Sequence, residues 1–147
     1  MRAYHLIRGF VLSLLSKKTV GVRMLLIQDQ KVLLVKHSYQ SGWYTIGGGV
    51  EAGETPLEAM KRELKEEVGG TLLNDPTLFS VYHSRNEKRD DYVVFYVAEG
   101  CTQEVVHSDE IAEQGWFPLN DLPLETTPAT RRRIQEYLGE KTIDERW

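Results

Sequence analysis

Glu63, Glu66 and Glu67 stand at i, i+3 and i+4 in the run Lys61-Arg62-Glu63-Leu64-Lys65-Glu66-Glu67-Val68. On a helix that spacing puts three carboxylates on one exposed face. Two carboxylates about 4 Å apart repel by roughly 4 kcal/mol at an effective dielectric of 20. A positive partner must offset that repulsion if the cluster is held together. A hard divalent cation that prefers oxygen ligands, Mg2+ or Mn2+, is the natural one. The bland alternative is a solvated Glu/Lys-rich face, since Lys61, Arg62 and Lys65 are close neighbours. Two features argue for more. The acidic run follows closely on Gly47-Gly48-Gly49, where bare backbone can approach a ligand. Glu54, between the two, is placed to pair with Arg62.

The element that must carry these acids is the clearest helix in the chain. Thr55 is its N-cap, Pro56 its first position, and Glu58 completes a capping box. Leu57, Met60, Leu64 and Val68 recur at helical spacing, and Gly69-Gly70 ends the run. Upstream, Thr19 to Ile27 and Lys31 to Lys36 read as a hairpin turning at Gln28-Asp29-Gln30, and Trp43 to Ile46 as a short extended piece entering a glycine loop. Downstream, Leu72 to Val81 and Tyr92 to Ala98 read as strands, with Asn86 to Asp91 as a polar connection. Trp116-Phe117-Pro118 reads as a last short strand. A final helix starts at Thr127-Pro128 with Ile134, Tyr137 and Leu138 on its apolar face and Arg131-Arg132-Arg133 on an exposed one. Strands, helix, strands, helix: the order predicts an α+β sandwich, not a doubly wound parallel sheet.

The whole-chain numbers agree with one compact enzyme-sized unit. There are 147 residues, 41% hydrophobic and 27% charged, enough for a core without staples. The lone Cys101 rules out an internal disulfide framework or a Cys-rich zinc site, and reads as a buried or inert thiol. A net charge of −4 argues against a general nucleic-acid coat, so no stable nucleic-acid complex is expected. Residues 1–18 form a separate segment in which Arg2, Arg8, Lys17 and Lys18 surround Leu6, Ile7, Phe10, Val11, Leu14 and Leu15. It makes a poor signal peptide. The reading adopted is an amphipathic helix packed on the domain of residues 19–147, or on a second copy in a homodimer, rather than on a membrane. The expected compartment is the cytoplasm.

The spacing Gly48, five residues, Glu54, seven residues, Arg62-Glu63-Leu64, one residue, Glu66-Glu67, one residue, Gly69 resembles the Nudix box. Seven of these identities, Leu64 apart, would coincide by chance at roughly one in 10⁸ placements, so the resemblance is specific. Two positions depart from the pattern: Gly70 replaces a closing aliphatic residue, and Ile46 stands where many members carry proline. The resemblance implies an α/β/α sandwich around a mixed sheet, reaching from about Thr19 to Leu138. It implies metal-dependent hydrolysis of a nucleoside diphosphate linked to another group, by attack of water on phosphorus. Glu63, Glu66 and Glu67 match the family's metal-binding glutamates, with the carbonyl of Gly47 or Gly48 as an added ligand, and Arg62 takes an orienting role through Glu54. A further carboxylate outside the box often serves as base or metal ligand; Glu110 is the candidate, with Glu113 and Asp109 behind it.

The remaining residues carry weaker chemistry. Trp43, Tyr44 and Tyr82 are candidates to stack on a base, although strand aromatics are more often core. Arg85, Lys88 and Arg89 could steer an anion, and His37 and His83 are read as structural. The window Ser84, Arg85, Asn86, Glu87 lacks the proline and the tyrosine that mark family members selective for ADP-ribose and for dinucleoside polyphosphates, and the coenzyme A pattern is absent. Retention of Arg62 and all three box glutamates favours an enzyme over a catalytically silent ligand-sensing or protein-binding domain.

Overall fold

A computed structural model describes residues 18–86 and 89–147. The expected N-terminal helix falls outside the described residues, as does Lys88, and Lys18 already belongs to the first strand. The strands are β1 (Lys18–Gln28), β2 (Lys31–His37), β3 (Ile46–Gly49), β4 (Gly70–Leu72), β5 (Thr77–Asn86), β6 (Arg89–Glu99), β7 (Cys101–Gln103) and β8 (Ile111–Pro118). The helices are α1 (Pro56–Val68) and α2 (Pro128–Tyr137).

β1 is the spine because both of its faces are apolar. Val22, Met24 and Leu26 turn one way, and Leu25 and Ile27 the other. Ala59, Met60, Leu64 and Val68 of α1 bury against the first set, while Ile134 of α2 joins the second. The result is the expected α+β sandwich. Its mixed sheet runs β5-β6-β1-β2-β8, and β6 is parallel to β1 from Lys18↔Asp90 to Ile27↔Glu99. The other edge of β1 is shared: Ile27 and Gln28 pair with β2, whereas Gly21 to Met24 pair with β3. β3 therefore enters beside β1 where β2 leaves it. That insertion sets the glycines against α1.

Five expectations need correction. The connection expected from Asn86 to Asp91 is mostly strand, since Asn86 ends β5 and Arg89 to Asp91 open β6. The glycine run is sheet rather than loop, since Gly47, Gly48 and Gly49 pair with Arg23, Val22 and Gly21. The strand expected from Leu72 to Val81 is two, because Pro76 has no N–H to give a ladder and holds the residue before it extended. The first piece, β4, instead makes a two-stranded ribbon with β7. The last strand is longer than Trp116-Phe117-Pro118 suggested, because its polar residues still ladder with β2. On α2, Arg133 is fully buried rather than exposed, paired with Glu136 at 3.2 Å under the ring of Tyr82, while Leu138 caps the helix and stays exposed. Among the described residues no helix is long and apolar enough to cross a membrane.

The ends of α1 are fixed locally. Thr55 Oγ1 accepts from the Glu58 N–H at 3.2 Å, and the Glu58 carboxylate accepts from the Thr55 N–H at 2.8 Å. Gly69 closes the helix at φ 67°, a left-handed conformation in which a Cβ would also strike the Glu104 carbonyl. Removing the cap by Thr55→Ala is expected to cost about 1 kcal/mol. Urea unfolding would read this as a lower midpoint at unchanged slope; an unmoved midpoint would mean that the box contributes nothing.

Candidate active site

Arg62 is the hub of the site. Its Nε and Nη2 donate to the two Glu54 carboxylate oxygens at 2.6 and 3.0 Å. Nη2 also reaches the Gly49 carbonyl at 3.0 Å, and Nη1 donates to Glu63 at 2.9 Å and Glu66 at 3.2 Å. The Glu51 N–H donates to Glu54 at 3.0 Å, so the turn before α1 is tied into the same knot. A fork of donors on a carboxylate is among the stronger side-chain contacts. The hydrogen bond from Arg62 holds the Glu54 carboxyl below its usual range, and Glu54 in turn pushes the guanidinium further up.

The box acids do not share an exposed face. Glu66 is exposed, but Glu63 retains only 9% of its surface and Glu67 only 4%. β3 lies across the helix there, which the helical period alone does not reveal. The Gly47 N–H donates to Glu67 Oε2 at 3.4 Å, and a Cβ on Gly48 would displace the Glu63 carboxylate from where it lies. Burial pushes Glu67 up to about 8, and the charges of Glu63 and Glu110 act in the same direction. Arg23 and the Gly47 N–H oppose them. Burial raises Glu63 as well, against the pull of Arg62.

Glu110 joins these acids. It lines a cavity of about 450 Å³ with Glu63, Glu66 and Glu67, and Asp109 lies at the same cavity. The Ser38 N–H donates to the Glu110 carbonyl at 2.9 Å and Ser38 Oγ to the Asp109 carbonyl at 2.7 Å, which pins the loop to the end of β2. Glu113 points elsewhere, toward Lys36 at 4.0 Å. Every donor in the set is oxygen, and the buried acids are short of positive charge. That combination suits a hard divalent cation. Among the described residues no three acidic, His or Cys side chains yet converge on one ion position, and Arg62 bridges Glu63 and Glu66.

The other candidates disperse. Trp43 is 8% exposed in the α2-side core, its ring 4.7 Å from that of Phe117, and it is not among the residues lining the acidic cavity. Tyr82 is fully buried and donates to Glu136 at 2.6 Å. Arg85 is exposed on the edge strand β5 opposite Asp90, outside the acidic cavity, and Arg89 is exposed on β6. His83 pairs with Asp90 at 2.8 Å, consistent with a structural role. Cys101 is a half-buried free thiol that burial makes harder to ionise. Tyr44 lines an open cavity of about 600 Å³ shared with Arg23, Thr127, Arg132 and Trp147.

One residue near the acids, Arg23, was not singled out from the sequence. Arg23 donates to the Thr45 and Gly47 carbonyls at 3.1 and 3.4 Å, and its charge reaches Glu67. A single arginine inside the apolar run Val20-Gly21-Val22-Arg23-Met24-Leu25 was the available signal. His37, read as structural, is 6% exposed at a bulge in β2, with Tyr39 and Tyr44 rings 5.1 Å away and neither nitrogen bonded. Burial lowers its pKa, helped by Arg23.

Fold and site together define a helix–sheet–helix domain that sets an oxygen-lined acidic cavity against a glycine strand. The chain belongs to the NUDIX domain family, whose pattern matches residues 17–138. An ADP-ribose pyrophosphatase from Methanocaldococcus jannaschii is 33% identical over 109 residues, covering 71% of this chain and 64% of that protein. The chain thus spans less than two-thirds of that relative's length. The nucleoside triphosphatase NudI of Escherichia coli is 29% identical over 127 residues, covering 76% of this chain and 90% of that one. The crystal structure of a MutT NUDIX hydrolase from Burkholderia pseudomallei superposes with a TM-score of 0.72 at 29% identity, over 82% of this chain and 98% of the other.

The raised Glu67 fixes a pH dependence. Its carboxyl titrates near 8 when folded against 4.5 when free, so between those values the folded protein holds a proton that the unfolded chain has lost. Stability without metal therefore falls as pH rises through that window, and Glu63 adds to the slope in the same sense. Glu67→Gln is expected to be more stable than the parent at pH 8 in chelator, with the gap closing toward pH 5. Urea denaturation across pH measures it; equal stabilities at pH 8 would refute the uncompensated burial.

Proposed function

We propose that this chain is a divalent-metal-dependent pyrophosphohydrolase that cleaves a nucleoside diphosphate linked to another moiety, such as a nucleoside triphosphate or a nucleotide sugar. The observation that carries the reading is Glu67, buried beside Glu63 and Glu110 and pushed up to about 8. A fold does not gather uncompensated acids under a strand for stability; perturbed carboxylates in a cavity mark functional sites. The two relatives are named for hydrolysis of ADP-ribose and of nucleoside triphosphates, which supports the substrate class without choosing within it.

Mg2+ or Mn2+ would be held by Glu63, Glu66, Glu67 and the Gly48 carbonyl, and would supply charge neutralisation on the pyrophosphate and a more acidic water. Glu110 accepts the proton of the attacking water from its pinned loop. Arg62 is a positioning residue: through Glu54 and Gly49 it fixes the glycine strand against α1, so that the acids keep their spacing. Arg23, on β1 opposite Gly47 of β3, helps to balance the acids and borders the cavity of about 600 Å³, to which we assign the nucleoside.

The test is release of phosphate, pyrophosphate or nucleoside monophosphate from triphosphates, ADP-ribose, nucleotide sugars, dinucleoside polyphosphates and capped RNA. Turnover should require Mg2+ or Mn2+ and fall by several orders of magnitude in Glu67→Gln. Glu110→Gln should lower kcat by about 10²-fold or more with little change in KM. Full activity of Glu67→Gln would end the metal assignment. Silence of the parent across the panel, with metal binding intact, would favour a sensing domain.

A further inference from the structure

The NUDIX match stops at Leu138, and the described chain continues to Trp147. Residues 143–147 turn back over the α2 face and join the edge strand β5. The His83 N–H donates to the Glu145 carbonyl at 2.7 Å, and the Trp147 N–H donates to the His83 carbonyl at 3.0 Å. Two arginines of α2 fasten this strap. Arg132 Nη2 donates to Asp144 at 3.2 Å, and Arg133 Nη1 to the Arg146 carbonyl at 3.3 Å. The Asp144 N–H donates to the buried Glu136 carboxylate at 3.2 Å. The indole of Trp147 then lies against Tyr82 and Phe95, with ring centroids 5.6 and 5.9 Å away, and the Arg133 guanidinium stands 5.1 Å from its ring.

Trp147 is only half buried, and its remaining surface lines the cavity of about 600 Å³ together with Tyr44, Arg23 and Arg132. An indole, a phenol ring and two guanidiniums favour a flat heterocycle over a sugar or an aliphatic group. We propose that Trp147, held in place by the strap, is a specificity-determining residue that stacks a nucleobase in this cavity. The inference rests on the assignment of the cavity to the nucleoside. Because the strap already fixes the indole, little conformational freedom is lost when the base arrives.

Calorimetric titration of AMP, GMP, CMP and UMP into the folded protein tests this separately from turnover, with ribose 5-phosphate as the base-free control. Trp147→Leu keeps an apolar contact with Tyr82 and Phe95 but removes the stacking surface, and Trp147→Phe restores part of that surface. The tightest nucleotide should bind about tenfold more weakly to Trp147→Leu and recover most of that loss in Trp147→Phe, while ribose 5-phosphate is unchanged. Unchanged nucleotide affinity in Trp147→Leu would overturn the proposal, as would an equal loss for ribose 5-phosphate. So would a parent that binds no nucleotide better than ribose 5-phosphate. A protein that binds the base as described but hydrolyses nothing in the panel would sink the hydrolase reading and leave this one standing.

Discussion

Two carboxylates held under a strand, instead of in water, set the terms for everything around the site. Glu63 and Glu67 can occupy that space only if the chain above them is thin and supplies donors. Gly48 provides the thinness and the Gly47 N–H a donor. Arg62 provides most of the positive charge, but spends it on Glu54, Glu63 and Glu66 together and does not reach Glu67. Glu67 is left with Arg23 and one backbone N–H against burial and two like charges. Desolvation wins, and the carboxyl rises.

The insertion of β3 makes this arrangement possible. Had β2 stayed paired along the whole of β1, no glycine backbone would lie between the two faces of the sheet. Because β3 takes the first half of that edge, Arg23 on the α2 side and Glu67 on the α1 side meet across a single strand. The acidic cavity is lined by α1 and the segment before β8, and the aromatic one by Arg23 of β1, Tyr44 and Thr45 just before β3, the start of α2 and Trp147.

What the sequence made legible was local. Thr55, Pro56, Glu58 and Gly69 act within a turn or two of themselves, so α1 and its ends follow from the residue order. Glu54 and Arg62 stand eight apart and meet as their spacing suggested. The misses depend on partners far along the chain. Nothing within α1 says that residues 46–49 will cross it, so Glu67 reads as exposed. Arg133 reads as solvated because its neighbours in sequence are arginines, while Tyr82, which shares its pocket, lies on β5. Pro76 is the exception: a local break that the apolar run on either side concealed.

Charge balance separates two buried ionic groups among the described residues. Around α2, Arg133 faces Glu136, and the Tyr82 hydroxyl and the Asp144 N–H satisfy that carboxylate's oxygens. Burying such a set costs desolvation, but each charge has its opposite, and the set fixes where the following segment must lie. Around α1 the sum does not close, since Glu63, Glu66, Glu67 and Glu110 border one cavity with Arg62 already shared among several acids. A structural network has no reason to stay short of charge, because a single substitution would relieve it. The proposed site, which would receive a cation and a polyanion together, does supply such a reason.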